Sequence, residues 1–119
     1  MKVHNYRQIE GKKDIPGVLL RVLVGPNEGA PNFAMRLFEI QPGSSTPYHS
    51  HTWEHEVFII SGRGLAKGVE LEKQVGEGDA VFVAPDEQHC FANTGDELLR
   101  LICVVPLVEG RMPGAPAKE

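Results

Sequence analysis

Two short blocks of histidines constrain the fold of this chain more than any other feature of its sequence. His49, His51 and His55 lie close together, and His89 follows 34 residues after His55. Residues two apart on an extended strand point to the same face, so His49 and His51 can direct both imidazoles to one point, and a turn returns His55 beside them. Neutral imidazole is the commonest protein ligand for divalent transition metals. The two blocks therefore predict a metal site at which distant segments of the chain meet.

Short apolar runs separated by turn sequences predict an all-β protein. Segments such as QPGSS, SGRG, GEGD and NTGDE supply the Gly, Pro and Asn residues that chain reversals require. Runs at intervals of about ten residues are typical of a sandwich or barrel. Eight or more strands in this order indicate a double-sheet jelly roll closed into a small barrel. The predicted strands are Val18–Val24, Phe33–Ile40, Tyr48–His51, His55–Ser61, Leu65–Val69, Glu72–Val75, Ala80–Ala84, His89–Asn93 and Leu98–Val105.

The residues around the histidines resemble the two motifs of the cupin family. The first motif, which runs from a Gly through His-x-His and an acidic ligand to a second Gly, is matched by Gly43, His49, His51 and Gly62. The second motif, in the stretch GDAVFVAPDEQHCFAN, is matched by Gly78, Pro85, His89 and Asn93, with Glu87 where a Gly is usual. The two blocks cover about half of the chain in the order that the family uses. The resemblance implies an all-β double-stranded β-helix, or jelly-roll barrel, with a metal ion bound inside.

The ligand that is usually acidic in cupins has two candidates in this sequence. Three residues separate His51 from His55, and four separate it from Glu56, and the family spacing admits either. Six residues separate His55 from Gly62, as in the family, whereas five separate Glu56 from Gly62. This spacing favours His55 and leaves Glu56 as the alternative. The resemblance then implies an all-histidine metal site formed by His49, His51, His55 and His89.

Alternation along the predicted strands indicates which side chains line a pocket beside these ligands. Inward-facing residues alternate with outward-facing ones in a small barrel, and solvent exposure of Arg100 fixes the alternation of the last strand. The alternation of FAMRLFEI is open, because one face carries Arg36 and the other Glu39. If Phe38 faces inward, Arg36 lines the barrel mouth and can hold a substrate carboxylate, while a salt bridge at the barrel edge is the alternative. The predicted pocket residues are Arg36, Phe38, Val57, Ile59, Phe91, Leu101 and Cys103.

The predicted ligand set indicates metal-dependent chemistry. Four neutral imidazoles leave a divalent cation its full charge, and an octahedral ion then keeps two positions open for a substrate and an oxidant or water. Imidazole suits nickel, zinc and copper, while the resemblance to cupins implies manganese or iron. We expect an oxygenase-type enzyme that acts on a small organic substrate. The alternatives are a metal-dependent isomerase or lyase, and a small-molecule binding or sensing cupin with a structural metal.

Length and composition indicate one domain. The 119 residues suit a single cupin domain, with an N-terminal arm at 1–17, the barrel at 18–106 and a flexible tail at 107–119. The 12 Lys and Arg residues against 16 Asp and Glu give a net charge of −4, and no basic run indicates a nucleic-acid partner. No apolar segment is long enough to span a membrane or to serve as a secretory signal, so we expect a cytoplasmic protein without a membrane partner.

Two further features of the sequence bear on assembly and redox state. Apolar residues occupy both alternating faces of Val18–Val24, so one face can pack on the barrel and the other on a second copy of the chain. We therefore expect a homodimer, which is common among cupins and among soluble oligomers. Cys90 and Cys103 are too few for a disulfide scaffold, and we expect both to remain thiols.

Overall fold

Nine β-strands form the framework of residues 1–113, the part of the chain that the computed structural model describes. The strands are β1 (Lys12–Ile15), β2 (Val18–Val24), β3 (Phe33–Ile40), β4 (His55–Ser61), β5 (Arg63–Gly68), β6 (Leu71–Gly76), β7 (Ala80–Val83), β8 (Cys90–Ala92) and β9 (Leu99–Pro106). The helical elements of this part are 3-10 turns at Tyr6–Gln8 and Pro26–Glu28. The predicted all-β class is confirmed. Within these residues no helix has the length and apolar character needed to cross a membrane.

The strands form two antiparallel sheets that enclose the core. The larger sheet has the order β1-β2-β3-β9-β4-β7, and the smaller has the order β6-β5-β8. In the larger sheet β9 lies between β3 and β4, so the end of the barrel sequence pairs with its beginning and its middle. This crossover is the jelly-roll arrangement that the sequence predicts. It places β4 and β9, which carry the best alternating patterns, at the centre of the fold.

Two segments differ from the predicted strands. The segment predicted as Tyr48–His51 is not a continuous strand, because its pairing is an isolated bridge between His49 and His89, with a second isolated bridge between Ser45 and Ala92. Pro47 lies between the two bridging residues and has no amide hydrogen to donate, which interrupts the ladder. Strand β1 was not predicted, because three of its four residues are charged and it forms an edge of the sheet with no apolar alternation.

The predicted inward faces of β4 and β9 form the core. Every second residue of β9 from Leu99 is buried. In β4 the buried residues are His55, Val57 and Ile59. Phe38 packs against this core at its edge. Because the interior of so small a barrel is filled by the side chains that its strands direct inward, the core is closed and apolar. It contains Val18, Ala34, Ile40, Val57, Ile59, Val75, Val83, Phe91, Leu99, Leu101, Cys103 and Val105.

The two ends of the described chain lie against the barrel. Tyr6, in the predicted N-terminal arm, stacks near the guanidinium groups of Arg21 and Arg100 at 5.4 and 5.3 Å. Both arginines bond Glu39 across the outer face, at 2.6 and 2.9 Å, which settles the alternation of β3. Of the predicted tail, Met112 packs on the core, and residues 114–119 lie outside the described part.

The turn between β4 and β5 provides a test of this architecture. Gly62 and Gly78 both have a φ of 87°, a left-handed conformation that disfavours side chains. A Cβ at Gly62 would lie 2.4 Å from the Leu98 carbonyl oxygen, whereas one at Gly78 would meet nothing within 4 Å. We expect Gly62→Ala to lower the free energy of unfolding by about 2 to 5 kcal/mol, and Gly78→Ala by about 1 to 2 kcal/mol. Urea denaturation measures both, and equal losses would contradict the packing described at Gly62.

Candidate metal centre

Backbone pairing brings the two histidine blocks together at one end of the barrel. His49 and His89 bond each other through both main-chain groups, with N···O distances of 3.2 and 2.9 Å. His89 lies directly before β8, and His55 is the first residue of β4. His51 lies in the loop between β3 and β4. All four histidines predicted as ligands therefore lie around one point of the structure.

The imidazole rings of these residues form a compact cluster. The ring centroids of His49, His51 and His89 lie 5.0 to 5.1 Å apart, and the possible ligand atoms of the three residues all lie within 4.8 Å of one another. The ring of His55 lies 4.3 Å from that of His51 and 5.2 Å from that of His89. Exposure falls from His49 at the solvent side to His55 and His89, which are buried. The three closest histidines could bind a metal ion, with His55 in contact with their inner side.

Main-chain carbonyl groups fix the orientation of three of the rings. The Nδ1 atoms of His49, His51 and His89 lie 2.7 to 2.8 Å from carbonyl oxygens of Pro47, Trp53 and Glu87 respectively. A carbonyl oxygen only accepts hydrogen bonds, so each Nδ1 carries the ring hydrogen and each Nε2 keeps a free lone pair. Metal-binding histidines in proteins characteristically donate their second nitrogen to such a partner. The donor set therefore fits a divalent transition metal held by Nε2 atoms.

His55 has a different environment on its Nδ1 side. This nitrogen lies 2.6 Å from Cys103 Sγ and 3.3 Å from an Nη2 of Arg36, which also lies 3.2 Å from the same sulfur. On the other side of the ring, Nε2 lies 2.5 Å from Nε2 of His51. Burial, and then the positive charge of Arg36, lower the pKa of His55 to about 3. Burial also lowers the pKa of His51 and raises that of the Cys103 thiol, so all three groups are neutral near pH 7.

Glu56, the alternative to His55 as ligand, faces the other way. It is exposed and is paired in register with Val104 on β9 and Phe82 on β7, on the outer face of the larger sheet. Alternate residues of a strand point to opposite faces, so the same backbone that directs His55 inward directs Glu56 outward. The structure thus brings His55 into the cluster and leaves Glu56 outside it.

The seven residues predicted to line a pocket lie in three different surroundings: beneath His55, in the closed core and, for Phe91, at an open cleft between the two sheets. Arg36 and Cys103 lie directly beneath His55, and Phe38 lies under the guanidinium of Arg36 at 5.0 Å. The side chains of Val57, Ile59 and Leu101, at most 3% exposed, pack in the closed core. They face inward as predicted, but so small a barrel leaves no room beside them.

The open space near the site is a cleft between the two sheets. Its volume is about 420 Å³, and it lies where β7 faces β5, β6 and β8. His89 and Phe91 contribute to its lining, and Phe91 is the one predicted pocket residue that borders it. Lys67 and Lys73 add positive charge, and Asp79 and Glu87 add negative charge. Because the wall belongs to strands whose alternation was weak, sequence reasoning missed this cleft.

Sequence reasoning also missed the role of Trp53. Its ring stacks on that of His51, with centroids 4.3 Å apart and planes inclined by 2°. Its carbonyl oxygen accepts the Nδ1 hydrogen of the same histidine, so Trp53 orients His51 twice. The sequence contains one tryptophan, and its position between the ligands is the one signal that could have identified it.

Comparison with known proteins identifies the family. The model of the family described as "Cupin domain" matches residues 36–105, which is more than half of the chain. The chain belongs to the cupin family. It is 32% identical over 77 residues to the oxalate-binding protein of Thermotoga maritima, a match that covers 61% of the chain and 64% of that protein.

Solved cupin structures share this architecture. The polyketide cyclase RemF of Streptomyces resistomycificus superposes with a TM-score of 0.83 at 28% identity, over 89% of this chain and 79% of that one. A cupin-2 domain protein of Rhodospirillum rubrum superposes with a TM-score of 0.77 at 26% identity, over 98% of this chain and 81% of that one. The predicted cupin barrel is therefore confirmed.

The low pKa of His55 makes the stability of the metal-free protein depend on pH. Between pH 6.5 and about 3 the unfolded chain binds a proton at this residue and the folded chain does not, so stability falls as the pH falls. We expect His55 to contribute a slope of up to about 1.4 kcal/mol per pH unit below pH 6.5. Urea denaturation of the chelator-treated protein between about pH 7 and pH 5 measures it. The slope should be smaller in His55→Gln, and an unchanged slope would contradict the burial of a neutral His55.

Proposed function

We propose that this cupin is a metal-dependent enzyme of the oxygenase type that acts on a small organic substrate. The observation that carries the proposal is the orientation of three histidines by main-chain carbonyl acceptors, which leaves their Nε2 lone pairs free at one point. The proposed ligands are His49, His51, His55 and His89, and the proposed cofactor is manganese or iron. A divalent ion held by four imidazoles acts as a Lewis acid with two exchangeable positions.

The charges around the site support an anionic substrate. Arg36, whose guanidinium is always protonated, lies 3.3 Å from Nδ1 of the proposed ligand His55. The carboxylate of Glu56 belongs to the outer face of the sheet and is directed away from this guanidinium. A carboxylate or enolate oxygen would therefore be attracted to the site in preference to a neutral group. The 420 Å³ cleft that His89 borders has room for a small molecule of this kind.

A second candidate function is the binding of a small carboxylate without turnover. The similarity of this chain to the oxalate-binding protein of Thermotoga maritima favours it, because that protein's name describes binding of a small dianion. Arg36 and the cleft would support binding of a small carboxylate in either function, because binding precedes any reaction. Isomerase or lyase activity would use the same ligands and the same anion selectivity.

Replacement of one proposed ligand tests the metal site. We expect the wild-type protein to bind one Mn²⁺ or Fe²⁺ per chain and His51→Ala to lose at least about 100-fold in affinity, because a ligand is removed from a preformed set. His4→Ala is the matched control, since His4 lies in the N-terminal arm and bonds the Leu23 carbonyl of β2. Metal analysis after dialysis measures the content, and equal metal content in both variants would contradict the proposal.

Oxygen consumption separates the two candidate functions. The Fe²⁺- or Mn²⁺-loaded protein is supplied with small mono- and dicarboxylates, and the fluorescence of Trp53 reports occupancy because its ring stacks on His51. An oxygenase consumes O₂ in proportion to one of these compounds, and His51→Ala does not. Saturable fluorescence changes without O₂ consumption or product would favour the binding function.

We also propose that the protein is a homodimer formed through the outer face of the larger sheet. The outer residues of β2, from which a dimer was predicted, are partly covered by the protein's own N-terminal arm around Tyr6. Exposed apolar side chains lie instead further across the same face, from β3 to β7. They are Phe33, Met35, Phe58 and Phe82, exposed by 40% to 65%. A group of exposed apolar side chains on one face of a sheet is typical of a protein interface.

Substitution on this face tests the dimer. We expect sedimentation at micromolar concentration to give twice the monomer mass for the wild type. Phe58→Ser combined with Phe82→Ser should shift the equilibrium toward monomer by at least about tenfold, because two large apolar contacts are removed from an interface. Val69→Ser, at an equally exposed apolar residue between β5 and β6, is the control and should remain dimeric. A monomeric wild type would contradict the proposal.

A further inference from the structure

The hydrogen-bond partners of His55 differ in kind from those of the other proposed ligands. His49, His51 and His89 each place Nδ1 against a carbonyl oxygen, which is a strong and permanent acceptor. The Nδ1 atom of His55 instead faces the sulfur of Cys103 at 2.6 Å and the guanidinium of Arg36 at 3.3 Å. Nothing in this environment is comparable to the main-chain acceptors, so the position of the ring hydrogen of His55 is not fixed in the same way.

Arg36 and Cys103, the two neighbours of Nδ1, favour opposite positions of the ring hydrogen of His55. A guanidinium only donates hydrogen bonds, so Arg36 can approach Nδ1 only when that nitrogen carries a lone pair. The Cys103 sulfur can accept, and it is the one acceptor that the described residues place beside Nδ1. A hydrogen on Nδ1 therefore requires Cys103, and a hydrogen on Nε2 suits Arg36.

The contact of Nε2 with His51 also affects which nitrogen of His55 carries the hydrogen. His51 donates from Nδ1 to the Trp53 carbonyl, so its own Nε2 presents a lone pair to Nε2 of His55 at 2.5 Å. Two lone pairs at this distance repel each other unless a proton or a cation lies between them. A hydrogen on Nε2 of His55 satisfies the contact in the absence of a cation, and a shared metal ion satisfies it otherwise.

We propose that His55 is a tautomer switch and that Cys103 is the positioning residue that allows it to bind a metal. Without a cation the ring hydrogen lies on Nε2 and bonds His51, while Arg36 donates to Nδ1. When Nε2 is used as a ligand, the hydrogen lies on Nδ1, and the sulfur of Cys103 accepts it. The Nη2 of Arg36 then donates to the same sulfur, at 3.2 Å, instead of facing a second donor. This inference rests on the metal site proposed above.

Nitrogen NMR of the imidazole rings tests the switch directly. Correlations between ring hydrogens and nitrogens in the histidine-labelled protein identify which nitrogen carries the hydrogen, and His55→Gln assigns the signals. We expect His55 to carry its hydrogen on Nε2 in the metal-free wild type and on Nδ1 after addition of Zn²⁺, which is diamagnetic. The other three rings should carry theirs on Nδ1 in both states. Signals of His55 that keep the hydrogen on one nitrogen throughout would overturn the proposal.

Zn²⁺ affinity tests the role of Cys103. We expect Cys103→Ala to weaken Zn²⁺ binding by about 10- to 100-fold, as loss of an outer hydrogen-bond partner typically does. Cys103→Ser should restore most of the affinity because its hydroxyl group accepts a hydrogen bond. The double variant Arg36→Met with Cys103→Ala should bind better than Cys103→Ala alone, since the competing donor is removed. The gain from Arg36→Met should be larger in the Cys103→Ala background than in the wild type, because loss of the positive charge alone raises cation affinity in both. Equal gains in the two backgrounds would contradict the positioning role of Cys103.

A control variant and two results that would contradict the proposals complete the test. Cys90→Ala removes the other buried thiol and should bind Zn²⁺ as the wild type does, because Nδ1 of the neighbouring His89 bonds the Glu87 carbonyl. If Cys103→Ala binds within about twofold of the wild type, Cys103 has no positioning role and the inference fails while the metal site stands. If the wild type itself binds no Zn²⁺, Mn²⁺ or Fe²⁺, the proposed function fails.

Discussion

The backbone pairing of His49 with His89 is the interaction on which the site depends. Two main-chain hydrogen bonds join residues that lie 40 positions apart in the sequence, and bonds between Thr46 and Phe91 continue the contact. This pairing holds the loop that carries His-x-His against β8, although the loop forms no regular strand. Because β4 begins at the end of the same loop, the pairing also delivers His55 to the cluster. The pairing therefore fixes the positions of the histidines on this loop as closely as a metal site requires.

The fold could be predicted in most of its parts because apolar alternation and turn residues are independent signals that agree. They identified β2, β3 and β4 at their observed bounds and the inward faces of β4 and β9. Strand β1 was not visible, since an exposed edge strand of charged residues has no pattern to detect. The alternation of β3 was equally undetermined, because Arg36 and Glu39 compete for the outer face. It is decided by Arg21 and Arg100, which come from two other strands to bond Glu39.

The clustering of the four histidines was predictable from the sequence, but the surroundings of the cluster were not. The spacing of the histidines and the position of Gly62 favour His55 over Glu56 as a ligand. Strand geometry directs the side chains of His55 and Glu56 to opposite faces of the sheet. The carbonyl acceptors of the rings belong to the main chain, which every sequence possesses, so no residue type identifies them. The contact of Cys103 with His55 likewise depends on the placement of β9 beside β4. Val57, Ile59 and Leu101 lie in the packed core for a related reason, since alternation indicates the inward direction and not the space available there.

One structural measurement tests the central claim most directly. Crystals grown with Mn²⁺ or Zn²⁺ and measured at the absorption edge of the metal reveal its position by anomalous scattering. The account predicts one ion per chain, about 2.0 to 2.3 Å from the Nε2 atoms of His49, His51, His55 and His89, with the Nδ1 of each ring turned away. An ion bound by a Glu56 oxygen with His55 turned from it, or an ion bound through Nδ1 atoms, would contradict the account.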